Sequence, residues 1–370
     1  MKILADAHIP YLRGVAEQFG EVEYLPGNQF NREAIREKDA LLVRTITHFG
    51  EEILTGTNVK LICSATIGFD HIDTEWCDTH GVDWRTAPGC NAASVEQYVT
   101  ASLLYLADKY QFDLTRKTIG IVGVGNVGSK VDAACKKLGM RILLNDPPRE
   151  ESEGPALFTN IETIQREADI ITFHTPLTKT GKHKTHHLAD EQFLASVEKK
   201  PFIINAARGG VTDNQALKKA IHHGQISGVV IDCWENEPEI DRELLQLADI
   251  ATPHIAGYSA DGKWTATKMS LENLNKFFNL NLENIQYQPI PVPERPSINL
   301  SGIAPDLQLQ YAVWHTYHPL TETIALKSAP EKFYWFRSNY PLRREYPAYT
   351  VLHADEMILP ILLNLGFNEK

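Results

Sequence analysis

Residues 118–146 of this 370-residue chain read TIGIVGVGNVGSKVDAACKKLGMRILLND. The stretch opens with TIGIV, an apolar run typical of a buried strand, and glycines cluster directly behind it. A helical segment then ends at Gly139, and a second apolar run, RILLN, follows. Strand, glycine-rich turn, helix and strand in this order predict a parallel βαβ unit, the building block of an open α/β sheet.

The glycines of this turn have the spacing Gly123-x-Gly125-x-x-Gly128. In a dinucleotide-binding turn the first glycine permits the tight turn and the second lets a pyrophosphate approach the backbone. The third lets the helix pack closely on the strand. The amides near Asn126 and Val127 would face the pyrophosphate at the N-terminus of the helix. The pattern therefore predicts a dinucleotide site, with an ordinary structural turn as the alternative.

A carboxylate at the end of the second strand indicates which dinucleotide binds. Asp146 follows RILLN directly, at the distance from the glycines where an acidic residue accepts both ribose hydroxyls. It would also repel a 2′-phosphate, so the sequence predicts NAD rather than NADP. Arg149 lies three residues further on and leaves NADP open, because an arginine near this point can accommodate the phosphate.

Apolar runs alternate with helical segments on both sides of this unit. Between residues 118 and 256 there are six runs, TIGIVG, RILLND, DIITFHT, PFIINAA, GVVIDC and DIATP. Continuous apolar runs of this kind predict a parallel sheet covered on both faces. Upstream, five further runs, KILAD, VEYLP, ALLVRT, KLICSAT and GVDWRT, predict a second and smaller parallel sheet. The helix ASVEQYVTASLLYLADKY, with Ser94 as its cap, would connect the two.

We therefore predict an α/β protein with two Rossmann-like, doubly wound domains and a cleft between them. A substrate-binding domain would comprise residues 1–95 and 257–286, because the helical stretch WTATKMSLENLNKFFNL returns the chain to it. Residues 96–256 would form the NAD-binding domain. The proline-rich QPIPVPERPSINL then favours an extended linker, and the aromatic residues behind it predict a folded α+β domain over residues 287–370.

Composition and charge exclude several classes of function. The formal net charge of −11 argues against nucleic acid or an anionic membrane as a partner. MKILADAHIP lacks the features of a signal peptide, and no run of about 18 apolar residues predicts a membrane span. The five cysteines include no CxxC pair, so we expect reduced thiols and a cytoplasmic protein. The histidines of KHKTHHL and the pair at 222–223 have no carboxylate or cysteine that completes a shell, so no metal is predicted.

Three polar residues follow three successive apolar runs of the central domain. Arg208 comes after FIINAA, Glu237 after GVVIDC and His254 after DIATP. Taken singly, the arginine could cap a helix, the glutamate could lie in a solvated loop and the histidine could be a buried structural residue. Because open α/β sheets gather ligand-binding residues at the carboxyl ends of their strands, we expect all three in one site. A guanidinium, a carboxylate and an imidazole suit hydride transfer at an alcohol next to a carboxylate.

Five pieces of the chain, GIVGVGNVG, PLTKTG, NAARGGVTDNQAL, GVVIDCWENEP and TPHIAG, resemble the D-2-hydroxyacid dehydrogenase family over roughly residues 40–280. The resemblance implies that Arg208 binds the substrate carboxylate, that His254 is the acid/base and that Glu237 pairs with it. It also implies that Asp232 holds the nicotinamide carboxamide. Further residues that it implies at the cofactor are Thr175, Ala206, Ala207, Arg208 and Gly257.

Other segments, LLVRTITHFG, SATIGFDHID and HIAGYSADGK, resemble members of this family that act on a small phosphorylated hydroxy acid. This likeness implies that Thr45, Thr66 and Tyr258 contact the substrate. From its position beside Thr45 we add Arg44 as a partner of the phosphate, although it could equally be a surface arginine. The likeness also implies that the C-terminal domain makes the protein a homodimer.

Two other functions stay open at this point. The first is a dehydrogenase for another D-2-hydroxy acid, such as 3-phosphoglycerate or D-glycerate. The second is an NADH-sensing binding protein, because transcriptional corepressors resemble this family too. The chain lacks the disordered, peptide-recruiting flanks that such a corepressor would use, which favours the enzyme.

Overall fold

The computed structural model describes residues 1–370, and they divide into two compact units. The first unit comprises Met1–Asn91 and Ser259–Pro291, and the second comprises Ala92–Tyr258 and Val292–Lys370. The C-terminal extension, Val292–Lys370, thus belongs to the same compact unit as the sheet predicted between residues 118 and 256. The division of the chain into substrate-binding, NAD-binding and dimerisation domains remains a prediction.

The first unit contains the five strands predicted upstream. These strands are β1 (Lys2–Asp6), β2 (Glu21–Leu25), β3 (Ala40–Val43), β4 (Leu61–Ser64) and β5 (Asp83–Arg85). They form one parallel sheet in the order β2-β1-β3-β4-β5. Its short helices are α1 (Arg32–Ile35), α2 (Glu51–Leu54) and α3 (Thr74–His80). Strands β3 and β4 are buried along their whole length, which explains why only Ser64, at the end of β4, is polar in them.

The second unit opens with the long helix α4 (Ala92–Tyr110) and contains the six strands predicted for the centre of the chain. These strands are β6 (Thr118–Val122), β7 (Arg141–Asn145), β8 (Ile170–Phe173), β9 (Phe202–Asn205), β10 (Gly228–Ile231) and β11 (Ile250–Ala251). All six are parallel, in the order β11-β10-β9-β8-β6-β7. The strand order reverses at β6, and ligands bind at such a point in open α/β sheets.

Six helices connect these strands. They are α5 (Asn126–Lys137), α6 (Pro147–Glu153), α7 (Ile161–Glu167), α8 (Glu191–Ala195), α9 (Asn214–His222) and α10 (Arg242–Leu247). Asp213 caps α9 by accepting hydrogen bonds from the amides of Gln215 and Ala216. The expected cap of α4 is wrong, because that helix begins at Ala92 and Ser94 lies inside its first turn. The Ser94 hydroxyl instead donates to the carbonyl of Ala256 at 2.9 Å.

The chain then returns to the first unit in α11 (Ala260–Phe277), as the helical stretch after the histidine predicted. Ser259 caps this helix through the amide of Gly262. Leu271 and Leu274 are fully buried against the core of the first unit. None of the helices is both long and apolar enough to span a bilayer.

The C-terminal extension mixes helices with a small sheet. Its helices are α12 (Pro305–Thr316), α13 (Leu320–Ser328), α14 (Phe333–Ser338) and α15 (Leu359–Leu365). Strands β12 (Ser297–Asn299), β13 (Thr350–Leu352) and β14 (Asn368–Glu369) pair in parallel. Val313 and Val351 are buried in the same hydrophobic cluster as Leu103 of α4. The indole of Trp314 donates to the carbonyl of Ala101 at 3.2 Å, so the extension packs directly on α4.

Candidate active site

The glycine-rich turn between β6 and α5 has the geometry of a dinucleotide-binding loop. Gly123 has a φ of +88°, a backbone conformation that residues other than glycine rarely adopt. A Cβ on Gly128 would lie 2.0 Å from the carbonyl oxygen of Gly123, so this position requires close approach of helix and turn. A Cβ on Gly125 would meet nothing within 4 Å. The space in front of α5 is therefore open to a ligand.

Asp146 lies beside this turn at the end of β7. One of its oxygens accepts from the amide of Val124 at 2.8 Å, and the other accepts from the amide of Arg149 at 3.1 Å. The guanidinium of Arg149 is paired with Glu153 at 2.6 and 2.7 Å. The carboxylate is thus fixed next to the glycine turn, while the nearby cation already has an anionic partner.

The residues around the turn fit a dinucleotide. The Thr175 hydroxyl is buried without a hydrogen-bond partner, and its methyl group would lie 2.9 Å from a Cβ on Gly123. Asn126 and Val127 are the first two residues of α5, where backbone N–H groups have no partner within the helix. The Thr175 hydroxyl and the first-turn amides are donors that a pyrophosphate could use. The open space at Gly125 leaves room for it.

His254 and Glu237 form a hydrogen-bonded pair at the carboxyl ends of β11 and β10. His254 Nδ1 lies 2.8 Å from Glu237 Oε2 and 3.1 Å from Oε1. The amide of Trp234 donates to Oε1 at 2.8 Å. Burial by itself would raise the pKa of Glu237, but the bonds to His254 and Trp234 and the nearby Arg337 lower it below its ordinary value. An ionised Glu237 accepts a hydrogen bond from Nδ1–H, which leaves Nε2 for proton exchange.

The loop that carries His254 is fastened by Asp232, the residue directly after β10. The Asp232 carboxylate accepts from Thr252 Oγ1 at 2.6 Å and from the amides of Ile255 and Ala256 at 2.7 and 3.0 Å. His254 itself has a φ of +56°, an uncommon conformation for a non-glycine residue. Asp232 therefore fixes the backbone on both sides of the imidazole. The sequence analysis missed this role, whose signal was an acid at a strand end; its contact with nicotinamide remains a prediction.

Arg208 follows β9 and faces the same cavity as the pair. Its Nη1 donates to the carbonyl of Ala207 at 2.8 Å. A Cβ on Gly209 would lie 1.9 Å from the carbonyl oxygen of Trp234, so the loops carrying Arg208 and Glu237 touch. Arg208, Glu237 and His254 line one cavity of about 360 Å³. The structure thus brings the three predicted residues together.

Cys233, Glu237 and His254 also place potential metal-ligating atoms within 4.8 Å of one another. Burial raises the pKa of the Cys233 thiol well above its ordinary value, and a protonated thiol is a poor ligand. Its Sγ lies 3.4 Å from the carbonyl oxygen of Ala207, and the Nδ1 of His254 is bonded to Glu237. These groups are therefore engaged with protein partners; the absence of a metal site remains a prediction.

The other predicted substrate residues lie in two places. In the first unit, the Arg44 guanidinium is paired with the buried Asp6 at 2.9 and 3.3 Å, so an anion would have to share it. The Thr66 hydroxyl lies 2.7 Å from that of Ser64, and Thr45 is exposed. Tyr258 lies in the second unit, directly after the His254 loop. The roles of these residues remain predictions.

Arg337 of α14 is a residue at this site that the sequence analysis missed. Its Nε donates to the Tyr258 hydroxyl at 3.0 Å, and its Nη1 lies 3.9 Å from Glu237 Oε2. The available signal was a single arginine within the aromatic segment KFYWFRSNY. Only folding places it beside residues so distant in the chain.

The family follows from comparison with known proteins. Residues 92–256 match the model of the D-isomer specific 2-hydroxyacid dehydrogenase, NAD binding domain. The chain belongs to this family and is an NAD-dependent dehydrogenase of 2-hydroxy acids. A protein of Bacteroides thetaiotaomicron named erythronate-4-phosphate dehydrogenase is 50% identical over 95% of this chain and 99% of its own length. Proteins of the same name are 45% identical in Porphyromonas gingivalis (99% of this chain, 100% of theirs) and 40% in Escherichia coli (100% and 98%).

Solved structures agree with the fold. The D-lactate dehydrogenase of Aquifex aeolicus, determined with NAD and lactic acid, superposes with a TM-score of 0.61 at 24% identity. It covers 78% of this chain and the whole of that one. A D-2-hydroxyisocaproate dehydrogenase gives a TM-score of 0.61 at 20% identity and covers 77% and 99%. At these identities the likeness establishes the fold alone.

Proposed function

We propose that this chain oxidises 4-phospho-D-erythronate to 2-oxo-3-hydroxy-4-phosphobutanoate with NAD, in the biosynthesis of pyridoxal 5′-phosphate (vitamin B6). The supporting observation is the 40–50% identity, over 95–100% of this chain, with proteins named erythronate-4-phosphate dehydrogenase. That span takes in the C-terminal extension as well as the two sheets. The site geometry supplies the chemistry that this oxidation needs.

In this proposal each member of the trio has a separate task. Arg208 binds the substrate carboxylate with its planar fork and polarises the oxygen on C2. His254 Nε2 accepts the hydroxyl proton while the C2–H bond breaks, and the ionised Glu237 stabilises the resulting imidazolium. The glycine turn and Asp146 would hold NAD, which would supply the acceptor for the hydride leaving C2. The products are the 2-oxo acid, with its phosphate retained, and the reduced cofactor.

We further propose that Thr45, Thr66 and Tyr258 contact the substrate and that Arg44 takes part in holding its phosphate. A local cation is required there, because the net charge of the protein is −11 and the substrate is an anion. Arg44 can serve if its ion pair with Asp6 opens or is shared. These four contacts are the part of the proposal that determines substrate identity.

Steady-state kinetics on a panel of acids test the proposed function. The purified chain is assayed by NADH absorbance with 4-phospho-D-erythronate, 3-phospho-D-glycerate, D-glycerate and D-lactate. We expect the highest kcat/KM with 4-phospho-D-erythronate. A higher value with 3-phosphoglycerate or with an unphosphorylated acid would contradict the proposed substrate, and a chain that binds NADH but oxidises none of them would favour a sensing protein.

Substituting Asp146 with asparagine tests the cofactor preference. Asparagine keeps an oxygen that can cap α6 but removes the charge that repels a 2′-phosphate. We expect the ratio of kcat/KM for NADP to that for NAD to rise by about tenfold or more. Glu151→Gln, which removes a charge from an exposed position of the same helix, is the matched control. An unchanged ratio in Asp146→Asn would show that the carboxylate does not select the cofactor.

We propose that the C-terminal extension makes a homodimer. Large apolar side chains of the extension are between 40% and 82% exposed, namely Leu307, Tyr311, Ile324, Tyr334, Trp335, Leu342, Met357 and Leu363. Exposed apolar surface of this kind is typical of protein interfaces.

We also propose a cytoplasmic location, supported by five cysteines that form no disulfide, four of them buried.

Introducing two charged residues on α12 tests the proposed homodimer. Leu307 and Tyr311 lie one turn apart on one face of this helix. The double variant Leu307→Glu, Tyr311→Glu is expected to weaken association by about 100-fold or more, because two charges would enter an apolar interface. Light scattering after gel filtration measures the mass. Leu157→Glu, an exposed leucine outside the extension, is the control; a monomeric wild type, or a double variant that stays dimeric, would contradict the proposal.

A further inference from the structure

Arg337 connects the C-terminal extension to the catalytic pair within the second unit. It lies on α14, 79 residues after the tyrosine whose hydroxyl accepts its Nε hydrogen bond. Its guanidinium carbon also lies 5.7 Å from the centre of the Tyr258 ring. The Arg337 side chain is 31% exposed, and the Glu237 side chain that it approaches is 19% exposed. The contact is thus partly shielded from water, where ion pairs are stronger than at the surface.

The guanidinium approaches the same carboxylate oxygen that binds the imidazole. Glu237 Oε2 lies 2.8 Å from His254 Nδ1 and 3.9 Å from Arg337 Nη1. The carboxylate therefore stands between the imidazole of His254 and the guanidinium of Arg337, and Oε1 is held separately by the Trp234 amide. At this distance the positive charge of Arg337 attracts Glu237 Oε2 and offsets part of its negative charge.

Other charged or titratable groups near the pair come from every neighbouring loop. They are Lys179, His186 and Glu235 in the same cavity, Arg208 after β9, Asp232 and Cys233 after β10, and Tyr258 after β11. Asp232 is bonded to its own loop, and Glu235 is paired with His187 at 2.6 Å. Arg337 is the cation among these neighbours that lies within 4 Å of Glu237.

We infer that Arg337 is a positioning residue of the dehydrogenase site, which holds the Tyr258 hydroxyl and the Glu237 carboxylate in place beside His254. The inference rests on the proposed function, because it gives the Glu237–His254 pair the acid/base task. It assigns the extension a part in the reaction besides any part in assembly. Arg337 itself need not touch the substrate.

The sign of the pH effect follows from the charges. Oxidation requires a neutral imidazole to accept the hydroxyl proton, so the rate falls on the acid side as the His254–Glu237 pair gains a proton. Without Arg337, Glu237 would exert its full negative charge on the imidazole and favour the protonated pair. The acid limb of kcat/KM would then move to higher pH.

Arg337→Gln and Arg337→Lys test the inference. With the 2-hydroxy acid that the wild type oxidises fastest, we expect Arg337→Gln to lower kcat/KM by about 10–100-fold. The acid limb should move up by about half a pH unit or more. Arg337→Lys keeps the positive charge, so its acid limb should lie at the wild-type pH. Its KM should still be severalfold higher than that of the wild type, because an ammonium cannot contact the Tyr258 hydroxyl and the Glu237 carboxylate at once as the planar guanidinium does. NADH affinity, measured by fluorescence, should stay unchanged in both.

Two further variants keep the test decisive. Arg242→Gln breaks an exposed pair with Glu331 of the extension and should leave kcat/KM and the acid limb at the wild-type values. Arg337→Met retains the apolar stem and replaces Arg337→Gln if the latter fails to fold. A neutral Arg337 variant with wild-type kcat/KM, or with an unmoved acid limb, would overturn the inference. Each variant is compared with the wild type on the same acid. If the wild type does not oxidise 4-phosphoerythronate, only the proposed substrate is refuted, and the effect of Arg337 is measured with another acid of the panel.

Discussion

Replacing His254 by alanine is expected to lower kcat by about 10²–10⁴-fold, the usual contribution of a positioned general acid/base. The imidazole is the group in the cavity that is bonded to an ionised carboxylate through one nitrogen and has its second nitrogen left for the substrate. Steady-state rates with the best acid of the panel measure the loss. Affinity for NADH should be retained, because the glycine turn at the end of β6 is untouched.

The loss must be specific to this histidine. His222→Ala, which removes an exposed imidazole paired with Glu243, is the matched control and should show wild-type rates. Glu237→Gln should give a smaller loss than His254→Ala, since the amide can still contact the imidazole but cannot stabilise its positive charge. A His254→Ala variant that keeps more than about a tenth of the wild-type kcat would show that the proton is transferred elsewhere.

Replacing Arg208 by lysine is expected to lower kcat/KM by about 10²–10³-fold, even though the charge is kept. A guanidinium offers a planar fork that matches a carboxylate, whereas an ammonium is a point charge. Gly209 lies directly against the carbonyl of Trp234, so the backbone next to residue 208 has little room to shift toward that loop.

A surface substitution supplies the control for Arg208. Arg166→Lys changes an exposed arginine that is paired with Glu167, and its kinetic constants should equal those of the wild type. The thermal transition of Arg208→Lys should also remain in place, because Nη1 makes only one bond to the protein, with Ala207. If the Arg208→Lys variant stays within about fivefold of the wild type in kcat/KM, Arg208 does not bind the substrate carboxylate.

The two larger sheets could be predicted from the sequence because most of their strands are buried on two faces. Gly228–Ile231, for example, is buried throughout and reads GVVI, an unbroken apolar run. Helix ends were predictable where the cap is local, as at Asp213. Ser94 shows where this fails. Its hydroxyl bonds to a carbonyl 162 residues away, and no local pattern can indicate such a partner.

The candidate site divides in the same way. Arg208, Glu237 and His254 could be proposed as a group, because each follows a strand and parallel strands bring their carboxyl ends to one edge. The fastening of the His254 loop by Asp232 could not be proposed, because it depends on which amides the loop turns toward the carboxylate. Arg337 was beyond reach for a stronger reason, since it comes from a segment with no strand periodicity to place it.

The sequence by itself determined the class of fold, the glycine turn with its carboxylate at Asp146, and the three side chains that we propose for the reaction. Each of these depends on local spacing along one strand, turn or helix, which the chain carries as a pattern. Tertiary structure alone decided that Arg44 is paired with Asp6 and that α14 delivers Arg337 to Glu237 and Tyr258. Such contacts join segments far apart in the chain, and only the packing of those segments brings the charges within reach of one another.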